Sequence, residues 1–194
     1  MLRIFTRAKL FNFLLMILFM CACSDKQSMQ TPSPKITIAG FDLRDYLGNP
    51  VGHVGAEDSD WLFADSLSKD ELHLFDFNTP YSLNNTSVDV YGQVFFAYPN
   101  PCKDYIRFNF AGQDSTVFRI VIVDSNLTVL KQLSLKDVYV VIGVDVSDRT
   151  LFPVGCSRRI YYSLSAKDNL NYRFGYGDIK ICAANNVSEY SLCF

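Results

Sequence analysis

From Tyr105 onward the chain alternates apolar and polar residues with period two, and this restricts the fold more than any other feature. Successive side chains of an extended chain point to opposite faces, so alternation gives each strand one oily face and one wet one. Ile106, Phe108 and Phe110 share one face; Tyr105, Arg107 and Asn109 share the other. Ala111-Gly112-Gln113-Asp114 is a turn signal, and Phe118, Ile120 and Ile122 form the next inward set, ending at Asp124-Ser125-Asn126. Residues 127–135 read as a further strand. Val140, Ile142, Val144 and Val146 make another, and Ile160, Tyr162 and Leu164 another, with Arg159, Tyr161 and Ser163 facing out. Residues 172–181 supply the last one or two strands. Turn signals recur about every 8–12 residues, the spacing of an antiparallel β-sandwich of about seven strands. The expectation is an all-β domain over residues 93–194.

A smaller β-rich segment is expected before it, over residues 35–92. Ile36 and Ile38, then Phe41 and Leu43, alternate with polar neighbours, and Gly48-Asn49-Pro50 turns the chain between two strands. An acidic loop with Glu57, Asp58 and Asp60 follows, then short apolar runs at 61–63 and 72–77. Residues 66–72 have room for one helical turn, and 78–87 read as a connector. Aromatic residues make up 14% of the chain and accompany many Val and Ile, which favours strands over helices.

The first residues carry a different signal. Arg3, Arg7 and Lys9 precede an apolar run of about 13 residues ending at Ala22. That is shorter than the roughly 18–20 residues a membrane-spanning helix needs, and it suits the core of a signal peptide. Ala22 before Cys23 resembles a bacterial lipobox, so residues 1–22 read as a lipoprotein signal peptide with Cys23 as the acylated residue. Residues 23–34, polar and ending in Thr31-Pro32-Ser33-Pro34, read as a tether. The expected location is the cell outer membrane, held through lipid.

With 18 Lys and Arg against 20 Asp and Glu, and three of the cations in the signal, the remainder carries a net charge of about −5. That argues against a nucleic-acid partner, which needs clustered cations. Cys102, Cys156, Cys182 and Cys193 follow the anchor, and an even number in an exported chain permits disulfides. Cys156 and Cys182 are candidates, on strands expected to be neighbours. Their parity opposes the pairing, since Cys156 falls on the inward set and Cys182 on the outward one.

The stretch "FAYPNPCKDYIRF" joins the two regions. Proline lacks an N–H and is confined to sheet edges, and each proline holds the residue before it extended. Tyr98-Pro99-Asn100-Pro101 therefore reads as a rigid lead-in entering a sheet at its edge. With "VIVDSNLTVL", "VDVSDRTLFPVG", "IYYSL" and "DIKI" downstream, it resembles the C-terminal sorting domain of type IX secretion cargo in the Bacteroidetes. The resemblance covers about 90 residues, Val94 to Cys182. It implies an Ig-like β-sandwich and a place as cargo or accessory of such a secretion system.

No catalytic motif stands out. His53 and His73 are the two histidines, in no metal-binding spacing, and neither a nucleophile elbow nor a phosphate-binding glycine loop is present in the sequence. No metal or other cofactor is expected. Trp61, Tyr161 and Tyr176 are candidates to stack on the apolar faces of sugar rings, against core packing for Trp61 and edge protection for the tyrosines. The reading is a non-catalytic binding or structural module of the cell envelope, with a glycan or an envelope protein as partner. A secretion-linked accessory and a small glycan or peptide hydrolase are the alternatives; a hydrolase needs two carboxylates facing a cleft.

Overall fold

The computed structural model describes residues 34–55, 60–64, 66–75, 95–111, 117–136, 139–165, 172–183 and 193. The signal peptide, Cys23, most of the tether, Glu57, Asp58 and the connector at 78–87 lie outside them. Nine strands are present among the described residues, paired antiparallel throughout. β1 (Gly40–Arg44) and β2 (Pro50–Gly55) form the expected N-terminal hairpin. A single helical turn, α1 (Lys69–Leu72), runs into a 3₁₀ turn at His73–Phe75. Ser68 starts α1 because its hydroxyl accepts from Glu71 N–H while the Glu71 carboxylate accepts from Ser68 N–H, a reciprocal capping box.

The seven remaining strands make the sandwich. One sheet has the order β3 (Phe95–Tyr98), β4 (Tyr105–Ala111), β7 (Tyr139–Asp145). The other has the order β6 (Val129–Lys136), β5 (Val117–Val123), β8 (Ser157–Ser165), β9 (Tyr172–Lys180). Relabelled A to G from β3, the sheets are A-B-E and D-C-F-G, an Ig-like connectivity with the fourth strand on the C-F-G side. The inward sets meet as alternation requires. Ile106, Phe108 and Phe110 of β4 face Phe118, Ile120 and Ile122 of β5 and Ile160, Tyr162 and Leu164 of β8, all buried in one core. Phe95 sits at its centre, with ring centroids 4.2 Å from Tyr162, 4.8 Å from Phe118, 5.3 Å from Trp61 and 5.9 Å from Phe108.

The boundary expected near residue 92 lies outside the described residues; Pro34–Phe194 is one compact unit. The outward face of the β5-β8-β9 sheet is apolar too, carrying Val121, Val123, Tyr161 and Phe174. Phe75 buries itself on that face, with Ile36, Leu67 and Leu74 packed around it. Burial of each such side chain contributes roughly 1.5–3 kcal/mol, so the cover over this face weighs as much as a sizeable part of a sandwich core. Tyr161, expected to face solvent, is fully buried under it.

Residues 60–64 run beside β9, with Trp61 N–H donating to Tyr176 O and Ala64 N–H to Phe174 O, both at 3.0 Å. The glycines of β9 make this approach possible. A Cβ on Gly177 would lie 2.3 Å from the Trp61 ring, and one on Gly175 would lie 2.3 Å from Leu62 O. Trp61, at φ +64°, turns its indole into the space that a side chain at Gly177 would fill. The sequence expectation of Trp61 as a sugar-stacking platform gives way here to core packing, at 6% exposure.

Candidate functional site

Among the described residues a dense group of polar side chains lies where β1, residue 60 and β9 converge. The carboxylate of Asp60 bridges two strands: Oδ2 accepts from Asp42 N–H of β1 at 2.9 Å, and Oδ1 accepts from Asp178 N–H of β9 at 2.7 Å. Asp178 is itself held by Arg159 in a two-pronged pair, Nε to Oδ1 at 2.9 Å and a terminal nitrogen to Oδ2 at 2.8 Å. The Arg159 guanidinium also lies 4.3 Å from the Tyr176 ring centroid and donates to Thr37 O at 3.3 Å. Asp42 takes His53 Nδ1 at 3.1 Å and lies 3.6 Å from Arg44. A small cavity of about 150 Å³ opens beside them, lined by Thr37, Ala39, Asp60, Arg159, Tyr176 and Asp178.

The electrostatics follow from burial and crowding. Loss of solvent drives the Asp60 carboxyl up to about 7, and the nearby Asp178 and Asp42 charges push the same way, against the two backbone N–H groups that favour its anion. Burial works against the Arg159 charge, but the Asp178 carboxylate outweighs it and raises the guanidinium further. An acid near neutrality beside an arginine is the kind of pairing found in catalytic sites. Here both oxygens of Asp60 are taken by backbone N–H groups and both oxygens of Asp178 by Arg159. The cluster is a clasp joining the N-terminal segment to the sandwich.

Asn100, between its two prolines, completes the clasp. Its side chain is fully buried. Nδ2 donates to Asp42 O at 2.7 Å and Asp178 O at 2.9 Å, and Oδ1 accepts from Lys180 N–H at 3.0 Å. Its backbone exchanges two hydrogen bonds with Arg44. One side chain thus ties β1 and β9 to the end of β3, at the edge where the prolines remove ladder donors. Nothing in the composition distinguished Asn100, Asp60 or Arg159; the two glycines in the aromatic run "FGYGDIK" were the available sign that another segment passes close to β9.

Of the aromatic candidates, Trp61 and Tyr161 are consumed inside the protein. Tyr161 donates its hydroxyl to Glu71 Oε1 at 2.5 Å, which fastens α1 to the sheet. Burial opposes the Glu71 charge, yet the bonds from Tyr161 and Ser68 prevail and hold its carboxyl below the usual range. Tyr176 is half-buried under Arg159 and keeps one edge on the small cavity. The three rings form no common platform.

The cysteines also depart from expectation. Cys182 pairs with Cys193, eleven residues on, and Cys156 and Cys102 are free thiols. The reason is the parity already noted. Ile181 N–H donates to Cys156 O at 2.9 Å, so Cys156 and Ile181 are the opposed residues and Cys182 points to the other side. Cys102 is fully buried, and burial pushes its thiol up to about 12.

Two surface features remain. A wider cleft of about 380 Å³ lies between the 3₁₀ turn and β6, lined by Lys35, Asp70, His73, Leu127, Val129 and Gln132. At the β1–β2 turn, Tyr46 and Leu47 are 66% and 65% exposed. Among the described residues no three His, Cys, Asp or Glu side chains stand so as to hold a metal ion, and no helix is long and apolar enough to cross a membrane. Neither a family model, nor a curated protein, nor a solved structure matches the chain.

Proposed function

We infer that the chain is a lipid-anchored protein of the cell outer membrane whose Ig-like sandwich serves as a non-catalytic binding or structural module. The observation that carries this reading is the way the fold begins. Lys35 and Ile36 N–H both donate to Ser125 O, at 2.9 and 3.1 Å, so the chain is pinned to the β5–β6 turn directly after the tether. From there the N-terminal segment is locked down by Asp60, Asn100, Glu71 and Trp61. A rigid body at the end of a short tether is what display from a membrane requires, and the charged groups offering chemistry are already engaged in that rigidity. The partner is a glycan or an envelope protein.

The test is acylation. An alkyne analogue of palmitate is expected to label the wild-type chain and Cys21→Ser, and to leave Cys23→Ser unlabelled and released from membranes. Label persisting in Cys23→Ser, or wild-type chain found free of the envelope, would overturn the anchor.

A further inference from the structure

The β1–β2 turn holds two large apolar side chains out into water on a rigid mount. Asp45 builds the mount: Oδ1 accepts from Leu47 N–H and Asn49 N–H, and Oδ2 from Asn49 Nδ2, all at 2.9 Å. Two backbone bonds between Asp45 and residues 48 and 49 close the turn. Arg44 donates to Gly48 O at 3.0 Å and lies 4.3 Å from the Phe96 ring centroid. Gly48, at φ +90°, is pressed against Phe96 and Tyr98, where a Cβ would come within 2.9 Å of the Phe96 ring. The turn is thus bolted to β3, and Tyr46, Leu47 and, at 49% exposure, Val51 cannot fold back onto the protein. Between residues 45 and 52 the only charge is Asp45, whose surface carboxylate is occupied by N–H donors of the turn itself.

We propose that this tip inserts into the interfacial layer of the lipid bilayer to which the chain is anchored. The size of the tip selects the occupant. Three side chains at one hairpin end, Tyr46 and Leu47 on the turn and Val51 on β2, offer on the order of 300 Å², well under the roughly 800 Å² per partner that a stable protein interface buries. A protruding tip with a tyrosine and a leucine suits the interface, where an amphipathic ring sits at headgroup level and an aliphatic chain reaches the hydrocarbon. The tether sets the distance. Eleven residue steps separate Cys23 from Pro34, a reach of at most about 40 Å, so an acylated chain keeps the sandwich within about one domain diameter of the bilayer. This rests on the anchored reading. Insertion too weak to hold a free protein then orients one that is already tethered.

The experiment places a reporter at the tip. The Leu47→Trp chain, purified with its acyl group verified by mass, is reconstituted in phosphatidylcholine vesicles carrying brominated acyl chains. Trp61 is buried and beyond contact quenching. The added indole is expected to shift to the blue and lose at least half its emission, while Val141→Trp, on β7 at 51% exposure, keeps its own. Emission from the Leu47→Trp indole that stays water-like and unquenched in acylated chain overturns the proposal. If the mass carries no acyl group, the anchor fails on its own account. The tip is then tested by holding the same chain to nickel-chelating vesicles through a hexahistidine at residue 23, with the same two outcomes. A dimer in sedimentation that Leu47→Glu abolishes would give the tip to a second copy and likewise overturn insertion.

Discussion

Asn100 is a small side chain on which three segments depend. Deleting it leaves Lys180 N–H buried without its acceptor and removes the donor shared by the Asp42 and Asp178 carbonyls. A buried polar group left unmade costs roughly 1–3 kcal/mol. Asn100→Ala should therefore destabilise the protein by about 2–4 kcal/mol, read as a lower urea midpoint. Asn100→Asp should be at least as harmful, since it turns a carboxylate oxygen toward two carbonyls. An effect below about 0.5 kcal/mol for Asn100→Ala, the range of ordinary surface changes, would remove Asn100 from the clasp. The sequence made this residue legible only as part of the rigid lead-in Tyr98-Pro99-Asn100-Pro101. Its partners lie 58 and 78 residues away, and no local pattern encodes contacts at such separations.

Elements were far more legible than their partners. Alternation located β4, β5 and β8 and the inward face of each, because period-two burial is a local property of the chain; β9 was placed without its faces. The hairpin β1–β2 was readable through Gly48-Asn49-Pro50, while residues 66–72 showed only room for one helical turn, the place where α1 forms. What could not be read was the second apolar face. Val121 and Val123 in the run "VFRIVIV" break strict alternation, and a strand buried on both faces looks continuous rather than alternating. That run was the one sign that something covers the outer side, and it says nothing of what the cover is. The disulfide is a second case, since Cys193 lies beyond the last strand, where period-two burial gives no information on its partner. Peptide mapping without reduction should recover Cys182 joined to Cys193, with the fully buried Cys102 alkylated only after unfolding and the half-buried Cys156 ahead of it. Closing a loop of eleven residues stabilises by up to about 3 kcal/mol in the chain-entropy account. The double variant Cys182→Ser, Cys193→Ser should lose no more than that and should keep the sandwich.

For the molecule as a whole, the clasp makes stability depend on pH in an unusual direction. Surface carboxylates such as Asp45, Asp70, Asp145 and Asp148 are held below their ordinary values by hydrogen bonds and nearby cations. Each favours the fold above its unfolded pKa and loses that contribution as acid protonates it. Asp60 does the opposite. Its folded value of about 7 lies above the ordinary 3.8, so between those limits the native state holds a proton that the unfolded chain has released. The stability Asp60 supplies is complete below about pH 4 and is lost as pH rises through 7, with a slope of at most about 1.4 kcal/mol per pH unit for one proton. Asp42, Asp178, Arg159, Arg44, His53, Tyr162 and Tyr176 face or surround the clasp, so the wild-type curve alone mixes several titrations. The difference between wild type and Asp60→Asn isolates the one. Asparagine retains a single carbonyl acceptor for two N–H donors, so Asp60→Asn should be less stable at pH 5. The gap should close as pH approaches 8, where wild type must carry an ionised carboxylate among Asp42 and Asp178. Urea midpoints of the two proteins at intervals from pH 4 to 8 measure this. Parallel curves would mean that Asp60 is ionised throughout, with its two backbone donors outweighing the loss of solvent, and the junction would then be held by charge at every pH.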